Sequence, residues 1–157
     1  MLQKAAVPLL KSLCDKGYTV LLETSGAHDV SKVDARVHRI MDLKCPSSGE
    51  VESNRWENLN HLSDRDEIKF VIGSVEDYEW LKEAIQEHSL ANRCPLLVSW
   101  VHPLNDEQRD PSLKPFPADH TPIERKDLVE RITADALPVR FQVQMHKMIW
   151  PPEERGV

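Results

Sequence analysis

Apolar residues recur at three- and four-residue steps through Ala5, Ala6, Leu9, Leu10, Leu13 and Cys14, the stripe of an amphipathic helix. Pro8 either opens the regular helix or kinks it, and Gly17 offers a C-terminal cap. Tyr18-Thr19-Val20-Leu21-Leu22 then predicts a buried strand. A second short strand spans Arg39 to Leu43, followed by a polar loop through Pro46, Ser47, Ser48 and Gly49. Trp56, Leu59 and Leu62 suggest a short helix, and Ile68 to Ile72 a third strand. Ser74-Val75-Glu76-Asp77 resembles a capping box, opening a helix with Tyr78, Leu81, Ala84 and Ile85 on one face. Leu96 to Trp100 is the fourth strand.

Residues 102–121 form a long loop with four prolines, Pro103, Pro111, Pro115 and Pro117. Thr121-Pro122-Ile123-Glu124 predicts a helix start with Thr as N-cap, and Leu128, Val129 and Ile132 give that helix its apolar face. Pro138 ends it. Val139 to Gln144 alternates in polarity as a fifth strand, and the tail 151–157 is polar. The alternation predicts an α/β fold with a mostly parallel sheet of about five strands and helices packed on it. One feature departs from a β/α repeat: the first element is a helix with no strand before it.

Composition narrows the class. A chain of 157 residues with 40% hydrophobic and 29% charged residues suits one globular domain. No apolar run approaches the ~20 residues of a membrane span, and the start lacks the pattern of a signal peptide, so a cytoplasmic location is expected. The net charge is -6 and no basic run exceeds Arg125-Lys126. Direct binding of nucleic acid is therefore not expected. Cys14, Cys45 and Cys94 are widely spaced, with no CxxC or CxxxC pair. They predict reduced thiols and no local metal or cluster motif.

In parallel β/α architectures ligands sit at the C-terminal ends of strands. Here those ends carry Glu23-Thr24-Ser25-Gly26, Asp42-Leu43-Lys44-Cys45-Pro46, Ser99-Trp100-Val101-His102 and Gln144-Met145-His146-Lys147. Singly each has a plain explanation: a turn for Thr24-Ser25-Gly26, a solvated ion pair for Asp42 and Lys44, a hydrogen-bonded core histidine for His146. Together they predict one small-molecule site on one face.

The segments Leu22–Gly26, Met41–Glu50 (Met-Asp-Leu-Lys-Cys-Pro-Ser-Ser-Gly-Glu), Asp66–Ile72 and Gln144–Lys147 resemble the 7-carboxy-7-deazaguanine synthase family of radical S-adenosylmethionine enzymes, in the family's order and over essentially the whole chain. The Asp-Leu-Lys-Cys-Pro stretch with a near-terminal His-Lys is quite specific, whereas Glu-Thr-Ser-Gly is shared more broadly among radical enzymes. The resemblance implies a single partial (β/α) barrel-like domain over residues 1–157. It implies a lyase that uses S-adenosylmethionine, a four-iron–four-sulfur cluster and magnesium to convert 6-carboxytetrahydropterin to 7-carboxy-7-deazaguanine, feeding queuosine in tRNA. By the same resemblance Thr24, Ser25, Asp42, Leu43 and Lys44 lie near S-adenosylmethionine. Many members have Ser-Pro-Lys where this chain has Asp42-Leu43-Lys44. Ser99, Trp100, Val101, His102 and His146 match pterin-contacting positions, with the Val157 carboxylate a further candidate.

In the family a strand ending Thr-Gly-Gly-Glu-Pro is followed by Met-Leu-Gln or similar, and this sequence begins Met1-Leu2-Gln3. The resemblance therefore implies a C-terminal portion without the three clustered cysteines that bind the cluster, inactive on its own. Neither catalytic residues nor metal ligands are expected in it. An unpaired edge beside the first strand predicts a homodimer or an aggregation-prone monomer. Two other readings are a naturally short, non-catalytic remnant and an α/β ligand-binding or interaction module.

Overall fold

The computed structural model describes residues 3, 5–102 and 113–150, without the side chains of residues 146 and 147. Five strands, β1 (Leu21–Thr24), β2 (His38–Leu43), β3 (Glu67–Ile72), β4 (Leu96–Trp100) and β5 (Arg140–Gln142), form one sheet in the order 1-2-3-4-5, and every neighbouring pair is parallel. Helices α1 (Ala6–Asp15), α2 (Val75–Glu87), α3 (Arg125–Ala134) and α4 (His146–Ile149) accompany them. Parallel strands in sequential order require every connector to advance the same way across the sheet. With right-handed crossovers this puts the connectors on one face, the winding of a partial β/α barrel. The α/β expectation is met.

Side-chain parity separates the two faces. Met41 and Leu43 of β2, Ile68, Phe70 and Ile72 of β3, and Val98 of β4 are buried against Tyr78, Leu81 and Ala84 of α2 and Leu128 and Ile132 of α3. Each Val, Leu, Ile, Met or Phe side chain among them contributes roughly 1.5–3 kcal/mol by leaving water. Ile40, Asp42, Glu67, Lys69 and Val71, at the alternate positions, are only half-buried on the opposite, open face. No helix joins β1 to β2. Instead residues 25–37 loop back and place Val30, Val33 and Val37 in a second cluster with Cys14, Val20, Leu10 and Leu13. No helix among the described residues is long and apolar enough to cross a membrane.

The capping box at α2 forms: the Ser74 hydroxyl accepts from Asp77 N–H (3.0 Å) and the Asp77 carboxylate from Ser74 N–H (3.1 Å). Gly17, at φ +82°, follows α1 with Tyr18 N–H donating to Leu13 O and Gly17 N–H to Cys14 O, a Schellman closure.

Other local expectations are corrected. Because Tyr18 is bonded into the helix end, β1 starts at Leu21, and this strand is not buried: Leu21 is 59% exposed at the edge of the sheet. Thr121 is not an N-cap. The backbone of residues 121–123 is committed to the β3–α2 turn, with Val75 N–H donating to Thr121 O (2.9 Å) and Ile123 N–H to Gly73 O (3.2 Å), so α3 starts at Arg125. Val129 stays 37% exposed beside buried Leu128 and Ile132. The end of α3 precedes Pro138: Ala136, at φ +48°, and the Leu137 N–H bond to Ile132 O close it. The strand expected through Gln144 stops at Gln142, followed by the short α4. Pro103 and Pro111 of the long loop lie outside the described residues.

Candidate functional site

The C-terminal strand ends bring most of the expected residues to one rim. On the face opposite the helices, Asp42 stands in register beside Lys69 of β3, which pairs Leu97, and Val71 stands beside Ser99, which pairs Gln142; at β4 that face is closed, Leu97 and Ser99 both being buried. Lys44 Nζ lies 2.8 Å from Asp42 Oδ2, with both side chains about one-third exposed or less. The pair is thus partly withdrawn from water rather than freely solvated. Asp42 Oδ1 is buried and has no hydrogen-bond partner among the described residues, and the same holds for Ser99 Oγ and Gln144 Oε1.

Thr24 ends β1 in register with Met41, and exposed Ser25 follows it. Leu43 has the opposite parity. Its side chain is fully buried in the helix-side core, which leaves its backbone at the rim. Trp100 also points to the helix side, where its indole N–H donates to Ile123 O (2.8 Å) and its ring meets His102 edge-on at 5.7 Å. With Glu124, Arg125, Gln142 and Gln144 these two rings line a cleft of about 260 Å³ above β4 and β5. The Arg125 guanidinium sits 5.9 Å from the Trp100 ring centroid. Val101 is exposed, its N–H bonded to Ile72 O (2.9 Å). His146 opens α4 by its backbone, its side chain being outside the described residues, as is Val157 entirely.

The loops that carry these residues are clamped by buried polar side chains. Asp77, fully buried, accepts from Ser47 N–H (2.7 Å), the Ser47 hydroxyl (2.5 Å) and Gly73 N–H (2.8 Å), besides its capping bond. One carboxylate therefore ties the loop after β2 to the end of β3. Gly73 keeps this junction close-packed: a Cβ there would stand 2.9 Å from Val101 Cγ1 and 3.2 Å from Ser47 Oγ, so both side chains would have to shift. Asn54 and Asn58 hold the loops after β2 and β1. Sequence reading missed both, because isolated asparagines in irregular chain carry no periodic signal.

The three cysteines do not form a cluster site. Cys14 is buried in the β1–β2 apolar cluster, whereas Cys45 and Cys94 are buried in the main core, and all three are free thiols. Burial pushes the Cys45 thiol well above its usual range and that of Cys94 up to about 11, which disfavours the thiolate that ligates metal. Among the described residues no three His, Cys, Asp or Glu side chains gather as a metal-binding group. The chain's described residues therefore do not fit an iron–sulfur cluster, and they offer magnesium no ready-made cage. Asp42 Oδ1 and Ser99 Oγ remain as buried oxygens without a hydrogen-bond partner.

Comparison with known proteins finds relatives of one kind. The chain is 38% identical over 155 residues to the 7-carboxy-7-deazaguanine synthase of Koribacter versatilis, covering 99% of this chain and 66% of that protein. It is 39% identical over 160 residues to that of Chlorobaculum tepidum, covering 100% of this chain and 64% of the relative. A 7-carboxy-7-deazaguanine synthase from Methanospirillum hungatei is 30% identical over 97% of the chain and 56% of its own length. The chain thus spans about two thirds of the length of the first two relatives and less of the third. No family model matches, and no solved structure matches. With a parallel β/α sheet and an identity that runs from end to end, the chain belongs to the 7-carboxy-7-deazaguanine synthase family.

Proposed function

We propose that this chain forms the S-adenosylmethionine- and pterin-binding rim of an enzyme that converts 6-carboxytetrahydropterin to 7-carboxy-7-deazaguanine, the deazapurine precursor of queuosine. The observation that carries this reading is the trio of buried, partnerless oxygens on one rim, Asp42 Oδ1, Ser99 Oγ and Gln144 Oε1. Leaving such a group unmade costs about 1–3 kcal/mol, a cost that folds tolerate at sites which a ligand completes.

On the β1–β2 side, Asp42 accepts from the ammonium or ribose hydroxyls of S-adenosylmethionine. Lys44 balances the carboxylate of the same molecule, while Thr24 and Ser25 add hydroxyls and Leu43 only its backbone. On the β4–β5 side, Ser99 faces the pterin, and the backbone of Val101 borders it. Trp100, held by its bond to Ile123, is a wall that excludes water, with His102 beside it. His146 and the Val157 carboxylate complete the substrate side. Reductive cleavage of bound S-adenosylmethionine is the work of an iron–sulfur cluster, for which the described residues supply no ligands. No electron-transfer step is assigned to them, and by itself the 157-residue chain binds both small molecules and turns over neither. Magnesium likewise has no assigned ligand here.

The test is an amide nitrogen–proton NMR map of the 157-residue chain. S-adenosylmethionine should shift the resonances of residues 24–26 and 42–44, and 6-carboxytetrahydropterin those of residues 99–102 and 142–146. Shifts confined to the opposite strand ends, around Asp66 and Arg39, would sink the assignment.

A further inference from the structure

Two buried asparagines lie in the irregular stretch between β2 and β3. Asn54, 9% exposed, falls between the 3₁₀ turns Val51–Ser53 and Trp56–His61, and Asn58, fully buried, falls within the second. Asn54 treats Lys44 as a strand neighbour would. Lys44 N–H donates to Asn54 Oδ1 (2.8 Å), and Asn54 Nδ2 donates to Lys44 O (2.8 Å). Sheet pairing of β2 with β3 ends at Leu43, so Lys44 is the first residue past the ladder, and a side-chain amide takes over there. Asn58 does the same for the loop after β1. Its Nδ2 donates to Gly26 O (2.9 Å) and His28 O (2.8 Å), and its Oδ1 accepts from Val30 N–H (3.2 Å). Arg55 N–H adds a bond to Gly26 O (3.2 Å). The two loops also touch directly, since a Cβ on Gly26 would lie 3.3 Å from Asp42 O.

Only an amide fits these positions. It offers an acceptor and two donors, and all three partners of Asn58 and both of Asn54 use them. An aspartate would set a carboxylate oxygen against the carbonyls of Lys44, Gly26 and His28.

We infer that Asn54 and Asn58 are positioning residues that act as one brace, fixing the Ser25–Gly26 turn against Asp42–Lys44 and so pre-forming the S-adenosylmethionine half of the rim. This rests on the reading above, in which those two loops hold that molecule. The brace touches neither β4 nor β5 in its hydrogen bonding, so its effect is confined to one ligand. Pre-organisation of this kind matters because small misplacements of binding groups cost large factors in affinity.

The experiment measures binding of S-adenosylmethionine and of 6-carboxytetrahydropterin by calorimetry to the full chain and to Asn54→Ala, Asn54→Asp, Asn58→Ser and Asp66→Asn. Amide hydrogen exchange is recorded on each. Asp66 is the control: it is buried at the opposite strand ends, accepting from Arg39 N–H (2.7 Å) and Ser63 N–H (2.7 Å). The brace predicts a Kd for S-adenosylmethionine raised about tenfold or more in Asn54→Ala and Asn58→Ser. Asn54→Asp keeps the acceptor for Lys44 N–H but sets a carboxylate oxygen against Lys44 O, so it should weaken S-adenosylmethionine at least as much as Asn54→Ala. Pterin affinity should hold in all of these, and Asp66→Asn should lower Tm while leaving both affinities unchanged. Equal weakening of both ligands, or the same loss in Asp66→Asn, would reduce the brace to a stability element and overturn the inference. If the unaltered chain binds no S-adenosylmethionine, the underlying reading of the rim fails instead, and hydrogen exchange decides the brace. Loss of protection at Lys44 in Asn54→Ala that spreads to Val30 supports it, and unchanged protection overturns it.

Discussion

Asp77 does at residue scale what no hydrophobic contact can. Fully buried, it collects three backbone N–H groups, of Ser47, Gly73 and Ser74, and the Ser47 hydroxyl. Asp77→Asn turns an amino group toward one of those donors. The expected loss is about 3 kcal/mol, measured by urea unfolding, since bonds to charged groups are worth ~1.5–3 kcal/mol each and a buried donor is left unmade. A loss below about 0.5 kcal/mol, the range of ordinary surface substitutions, would show that the clamp is not holding the turn. Exposed carboxylates set the acid behaviour. Glu76 is held below its usual range by the Thr121 backbone N–H, and Asp135 by the Tyr78 hydroxyl and then Lys82. Such carboxyls release their protons more readily folded than unfolded, so the unfolded chain binds more protons below about pH 4. Stability is therefore present above that range and lost as pH falls through the lowered folded values. Glu76→Gln should flatten the acid limb of a Tm-against-pH curve, and an unchanged limb would remove Glu76 from that account. At this scale the sequence was informative where parity mattered: Asp42 and Ser99 were legible as strand-end polar residues. Asn54 and Asn58 were not, because their partners are backbone groups 10 to 32 residues away.

Elements followed their signals wherever the competing partners were local. The α2 cap needs only residues 74–77, and it forms as the sequence predicts. Thr121-Pro122-Ile123-Glu124 carries an equally good cap signal but is overridden, because its backbone pairs with residues 73–75, some 46 to 50 positions earlier. Similarly β1 looked buried from its apolar run, yet among the described residues it has a strand neighbour on one side only. Leu81 of α2, fully buried in the main core, should cost about 2–5 kcal/mol when cut to Ala, read by denaturant unfolding. A cost under 1 kcal/mol would mean that α2 does not pack against β3 as described. Gly26→Ala is a different kind of lesion. At φ +75° and 3.3 Å from Asp42 O, its effect should fall on the rim as well as on stability.

Across the whole molecule, β1 is left with one strand neighbour and the half-buried face of β2 and β3 with no helix on it, among the described residues. Among the described residues β1 pairs only with β2, and Leu21 and Tyr18 beside that edge are 59% and 63% exposed. At the other end Met145, Met148 and Ile149 are 67%, 64% and 60% exposed. We propose self-association through such surfaces, since unpaired edges and apolar patches invite it. Light scattering across a wide concentration range should find a dimer, and a monomer throughout would contradict this. The α/β class and the strand sequence were legible because alternation of strand and helix survives in any long enough window. The open face was not, since which side of a strand meets a helix depends on contacts between distant elements.

Isothermal titration calorimetry of the 157-residue chain and its Asp42→Asn variant with each ligand decides whether this rim binds S-adenosylmethionine on one side and the pterin on the other. Saturable one-to-one binding of both is expected, with S-adenosylmethionine weakened about tenfold or more in Asp42→Asn by loss of a charge-assisted acceptor and pterin affinity kept. No saturable heat with either ligand, or equal weakening of both in Asp42→Asn, would contradict it.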